Sequence, residues 1–131
     1  GSYGGILKKG LTSMPETWDA IMDGYQSLNH CMLGHVMEWL YGYVGGIRQA
    51  PGSVGWKRAV IGPVPGSLRH GSAATNTPLG RIQSTWTIGR GRFRLVADVP
   101  AGIEAEAWLP SGAKRKLRPG RQVLTEPYRE P

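Results

Sequence analysis

The sequence predicts an α+β chain, a helical N-terminal segment followed by an antiparallel β-sandwich. Three observations predict it. Apolar residues recur every three or four positions before Ala50, they alternate every second position after Trp56, and Pro, Gly and Ser clusters cut the second half into short segments. The division falls near Ala50-Pro51-Gly52-Ser53, which gives domains of residues 1–50 and 51–131.

In the first half, Gly10 to Pro15 reads as a loop. Pro15 suits a helix start, and Glu16 and Asp19 suit its positive end, so the pattern predicts a short helix from Glu16 to Tyr25. A longer helix is predicted from Ser27 to Gln49. Its apolar stripe is Leu33, Val36, Met37, Leu40, Val44 and Ile47, widened by Met32, Trp39 and Tyr43. Gly34, Gly42, Gly45 and Gly46 each weaken that helix by about 1 kcal/mol against Ala, so neighbouring elements must restore it. So wide a stripe needs a cover, which in the isolated chain is a second copy (a homo-oligomer) or another chain.

In the second half, strands are predicted over 56–61 and 68–75. Ile82, Trp86 and Ile88 then share a face, with Gln83, Thr85 and Thr87 on the other. Gly89-Arg90-Gly91 turns the chain, after which Phe93, Leu95, Ala97 and Val99 face inward. Pro100-Ala101-Gly102 turns it again, and Ile103, Ala105, Ala107 and Leu109 face inward. Short strands follow at 114–117 and 122–125. About seven strands at this spacing make a sandwich. If 93, 95 and 97 pair with 109, 107 and 105, Arg94 lies opposite Trp108, a cation–π arrangement.

Composition narrows the function. The chain has 131 residues, one Cys, and 19% charged residues, so neither a disulfide framework nor a highly charged disordered chain is expected. No apolar run reaches the roughly 18 residues of a membrane span, and no signal peptide opens the chain, so a soluble chain without a membrane partner is expected. The net charge of +7 is uneven, −1 over residues 1–50 and +8 over 51–131. Arg90, Arg92 and Arg94 could hold phosphate, but exposed aromatics do not alternate with them, so no nucleic-acid partner is expected.

Glu16 is the carboxylate of most interest, beside Trp18 and Asp19 after a Thr-Ser-Met-Pro loop. There it can accept backbone N–H bonds and act as a base towards water, or simply offset a helix dipole. Asn29 and His30 open the long helix and can bond hydroxyls, or serve as a cap and its neighbour. His30 and His35 are five apart, which does not place two ligands on one helix face, so no metal is expected. Cys31 reads as a small buried hydrophobe. Trp18, Trp39 and Tyr25 could form a sugar platform, although core is the default for Trp39.

The order of these segments carries more than any one. Ser2-Tyr3-Gly4 and a Lys-Lys-Gly step precede Thr-Ser-Met-Pro-Glu16-Thr-Trp18-Asp19. Then follow Ser27-Leu28-Asn29-His30-Cys31-Met32-Leu33-Gly34, Glu38-Trp39-Leu40-Tyr41, Gly-Trp56-Lys57-Arg58, Val99-Pro100-Ala101-Gly102 and Ala107-Trp108-Leu109-Pro110. Over nearly its whole length the chain resembles the C-terminal end of a bacterial α-L-rhamnosidase, family 78 of the glycoside hydrolases. The resemblance implies that residues 1–50 are the final helices of an (α/α)6 catalytic toroid, and residues 51–131 the C-terminal sandwich. It implies hydrolysis of terminal α-L-rhamnosyl bonds with inversion, no cofactor, and a rhamnosylated glycoside as substrate. Glu16 then matches the general base and His30 a sugar-binding residue, with Trp18 and Asn29 in support. Inversion needs a second carboxyl group about 6.5–9.5 Å from the base. In the family that general acid lies earlier in the toroid, so this chain alone is expected to be inactive. The rival reading is a non-catalytic β-sandwich module that binds carbohydrate or polyanion.

Overall fold

The computed structural model describes residues 1–19 and 25–129. The chain divides into two compact units, 1–38 and 39–131.

The first unit has little regular structure. Helix α1, Tyr3–Lys8, is capped by Ser2, whose hydroxyl accepts from the Gly5 N–H. Its one buried residue is Ile6. The Tyr3 hydroxyl donates to the Leu33 carbonyl at 3.0 Å. The short helix expected over Glu16–Tyr25 does not form over Glu16–Asp19, which are bend and turn, and its remainder, 20–24, lies outside the described residues.

The long helix expected over 27–49 is shorter and broken. It is a 3-10 turn at Met32–His35, an α turn (α2) at Val36–Trp39 and a π turn at Leu40–Val44. The π turn closes with the Gly45 N–H donating to the Leu40 carbonyl at 2.7 Å. Four glycines in this stretch explain the poor regularity. Gly46, at φ +80°, ends it, because a Cβ there would lie 2.3 Å from the Pro63 nitrogen. Ile47 is therefore not the last residue of a helical stripe but the first of strand β1, Ile47–Gln49. Trp39, assigned to the core, is instead 53% exposed, and Leu40, Tyr41 and Tyr43 are also exposed.

The second unit is the sandwich. Its strands continue with β2 Arg58–Ile61, β3 His70–Thr77, β4 Gly80–Gly89, β5 Arg92–Val99, β6 Glu104–Trp108, β7 Lys114–Leu117 and β8 Gly120–Pro127. One sheet has the order β1-β2-β6-β7 and the other β3-β4-β5-β8. All neighbours are antiparallel except β2 and β6, which run parallel. The inward residues are those the alternation predicts. Ile82, Trp86, Phe93, Leu95, Ala97, Ala105 and Ala107 form one core with Ile47, Ala59 and Ile61. Gly71 makes room for it, since a Cβ would lie 2.6 Å from the Trp86 indole nitrogen.

The expected pairing of β5 with β6 is wrong. Pro100-Ala101-Gly102 carries the chain from one sheet to the other, so the two strands face each other across the core instead of bonding side by side. Arg94 lies between Thr87 and Thr125 in register. Trp108 pairs with Lys114 on β7, whose ammonium sits 4.3 Å from the ring centre. The cation–π contact exists with a different cation.

Two polar ties close the sandwich. Glu126 on β8 accepts from the Ser111 N–H at 2.9 Å and the Ser111 hydroxyl at 2.5 Å, joining the β6–β7 turn to the other sheet. Arg48 donates to the carbonyls of Gly42 and Gly62 and lies 4.9 Å from the Tyr43 ring centre. Burial pushes its pKa down, opposed by Tyr43.

Candidate functional site

The predicted site residues lie in the first unit, on two segments that lack regular structure. Residues 13–17 run beside 26–30, and the main chain joins them. The Glu16 N–H donates to the Ser27 carbonyl at 2.8 Å, and the His30 N–H donates to the Met14 carbonyl at 2.8 Å. The Ser13 hydroxyl donates to the Leu28 carbonyl at 2.5 Å, and Thr17 to the Gln26 side-chain oxygen at 2.5 Å. Pro15 sits fully buried in this clasp. Proline suits the position, having no N–H to leave unpaired and a fixed φ.

Glu16 and His30 therefore stand on adjoining segments, fourteen positions apart in sequence and tied through Met14 and Ser27. The Glu16 carboxylate accepts from the Ser27 N–H at 3.1 Å through Oε2. A backbone donor holds one oxygen, and among the described residues none holds Oε1. This differs from the expected source of N–H donors, a helix begun by Glu16 itself. Such a carboxylate is oriented yet keeps a lone pair for a water.

His30 is half-buried, and its Nδ1 accepts from the Met32 N–H at 3.1 Å. In the neutral ring the proton then lies on Nε2, which makes Nε2 a donor to a hydroxyl. The His30 ring thus binds a free N–H at the start of the helical stretch, a task expected of Asn29. The N-cap position itself falls to Cys31. Asn29 is exposed, with its N–H donating to the Ser27 hydroxyl at 3.2 Å. Cys31 is exposed as well, not the buried hydrophobe expected.

Trp18 is 38% exposed and meets Tyr3 edge-on at 4.9 Å between ring centres. Trp39, the third ring of the platform the sequence allows, belongs to the second unit. Ser27 and Ser13 were missed by sequence reasoning. Ser27 acts through its N–H and carbonyl, which no side-chain pattern reports. Among the described residues, no group of three or more His, Cys, Asp or Glu is placed to hold a metal ion. No helix among them is long and apolar enough to cross a membrane.

A helical segment entering a two-sheet sandwich, with an oriented carboxylate and a histidine on a loop clasp ahead of it, fits the end of a glycosidase domain and its C-terminal module. Residues 1–44 match the bacterial alpha-L-rhamnosidase 6 hairpin glycosidase domain, and residues 46–123 match the bacterial alpha-L-rhamnosidase C-terminal domain. The chain belongs to the bacterial α-L-rhamnosidase family. An α-L-rhamnosidase of Streptomyces avermitilis is 38% identical over 118 residues, 84% of this chain and 11% of that protein. One of Formosa agariphila is 32% identical over 127 residues, 91% of this chain and 14% of that protein. The chain thus spans 11–14% of the length of these two relatives. Among solved structures, the S. avermitilis α-L-rhamnosidase complexed with L-rhamnose superposes with a TM-score of 0.84 at 30% identity, over 95% of this chain and 15% of that one. The native Aspergillus terreus α-L-rhamnosidase gives 0.82 at 30%, over 92% of this chain and 15% of that one.

Proposed function

We propose that this chain is the general-base side of an inverting α-L-rhamnosidase site, joined to the enzyme's C-terminal sandwich. In this reading the chain ahead of β1 is the last part of the catalytic (α/α)6 toroid, and the sandwich domain starts with β1 at Ile47 and not at residue 51. Glu16 takes a proton from the attacking water, His30 donates from Nε2 to a sugar hydroxyl, and Trp18 and Asn29 line the same pocket. The substrate is a glycoside with a terminal α-L-rhamnosyl group. The observation that carries this reading is the clasp. It ties the segments of Glu16 and His30 together and, among the described residues, leaves one Glu16 oxygen for a water. Exposed Trp39, Leu40, Tyr41 and Tyr43 agree with it, since a helical neighbour or a second copy would cover them.

Inversion requires an acid as well as a base. With one partner on this chain, the isolated polypeptide does not turn over an aryl α-L-rhamnoside. Glu16-dependent release of the phenol by the chain alone refutes that statement. In an enzyme that includes this chain, Glu16→Gln lowers kcat by about 10²–10⁴-fold with KM little changed. Activity retained by a folded E16Q enzyme removes Glu16 as the base.

A further inference from the structure

The sandwich carries a second feature that the glycosidase reading does not use. On the outer face of the β3-β4-β5-β8 sheet, beside the β4–β5 turn, lies an open depression of about 310 Å³. Its polar lining is Arg90, Arg92, Arg94, Thr87 and Thr125, and among the described residues no carboxylate lines it. Arg92 and Arg94 alternate on β5 and so point the same way, roughly 6–7 Å apart along the strand. Thr87 and Thr125 flank Arg94 in register on either side. Arg92 reaches Thr125 at 3.4 Å, a weak bond that leaves most of its donors open. At the other end of β5 the positive charge is partly offset, since Asp98 stands opposite Arg121.

Arg90 supplies an independent observation. It occupies the turn at φ +50°, followed by Gly91 at φ +68°. Two-residue hairpin turns of this kind favour Asn-Gly, because side chains with a Cβ resist the left-handed region. An arginine is a costly choice for the turn alone, and its side chain lines the depression.

We propose that this face binds an anionic polysaccharide through Arg90, Arg92 and Arg94. Guanidinium forks pair with carboxylate or sulfate through two parallel N–H bonds, and the threonine hydroxyls suit the adjoining sugar hydroxyls. Nucleic acid fits less well. Neither this depression nor the neighbouring hollow around Gln83 and Thr85 has a Trp, Tyr or Phe on which a base could stack. The inference is independent of the hydrolytic reading, because its test reads binding and not turnover.

The test is retention of the 131-residue chain on immobilised heparin (sulfate) and polygalacturonate (carboxylate) at low salt, with dextran and duplex DNA as comparisons. The expected result is retention on one or both acidic glycans, weaker on DNA and absent on dextran. R92S/R94S weakens glycan binding by about tenfold or more. A charge-matched pair on the other sheet, R115S/K116S on β7, changes it by less than about threefold. R90N weakens binding while Tm holds or rises, since Asn tolerates the turn. Equal losses in the two double variants reduce the effect to net charge and overturn the proposal. So do tighter binding to DNA than to either glycan, or no retention on any acidic column.

Discussion

Each unit of the chain contains a tryptophan, a glutamate that accepts from a serine N–H, and a serine hydroxyl facing other protein groups. In the sandwich, Trp86 and Glu126 are buried and fully engaged. In the clasp, Trp18 is exposed at one edge and Glu16 keeps an oxygen open among the described residues. The same residue types hold the sandwich together by burial, whereas in the clasp they are held by hydrogen bonds and stay partly exposed, as the proposed site requires. Sites that must accept a substrate are drawn from such weakly buried segments.

The tryptophans test this difference most severely. Trp86 has no exposed surface, stacks on Phe93 at 6.1 Å and donates to the Val44 carbonyl at 2.7 Å. Trp86→Ala leaves a cavity and an unpaired carbonyl, and costs about 4 kcal/mol. Trp18→Ala loses an edge contact with Tyr3 worth about 1 kcal/mol and leaves the sandwich transition in place. Urea unfolding followed by far-UV circular dichroism separates the two. A Trp18 variant that unfolds the sandwich as Trp86→Ala does would erase the distinction.

That contrast also explains what the sequence disclosed. Alternation identified the inward faces of β4, β5 and β6 because burial on one side of a strand leaves a period of two. It could not identify partners. Phe93-Leu95-Ala97 and Ala105-Ala107-Leu109 look alike whether they bond in one sheet or meet across the core, and only the sheet change at Pro100–Gly102 decides. β1 was hidden because Ile47 continues the helical spacing, and Gly46 breaks it by geometry. In the clasp, Glu16 and His30 stood out by their order of neighbours. Their connection runs through main-chain atoms of Met14 and Ser27, which side-chain patterns do not record.

The glutamates come next in size. Glu126 accepts two bonds from Ser111 and is nearly buried, so Glu126→Ala strands a turn N–H and a hydroxyl and costs about 2 kcal/mol. Glu16→Ala changes stability by no more than about 0.5 kcal/mol, because its bond to the Ser27 N–H is made beside water. Its consequence, in the proposed reading, is for turnover. Equal destabilisation in the two variants would make Glu16 a structural carboxylate and weaken its assignment as base.

The serines carry the smallest effects, and these have opposite signs. The Ser84 hydroxyl is buried with no hydrogen-bond partner among the described residues, and the residue has no exposed surface. A hydroxyl buried without a partner is a cost carried by the fold, so Ser84→Ala stabilises the sandwich by about 1 kcal/mol. The Ser13 hydroxyl donates to the Leu28 carbonyl at 2.5 Å, and Ser13→Ala loses a bond worth about 1 kcal/mol that joins the two segments of the clasp. Faster amide exchange of His30, whose N–H bonds Met14, reports that loosening without touching the sandwich. If Ser84→Ala destabilises instead, its hydroxyl has a bonded partner such as a buried water. The sandwich would then rely on a polar contact in its core, and the line drawn between burial and hydrogen bonding would move.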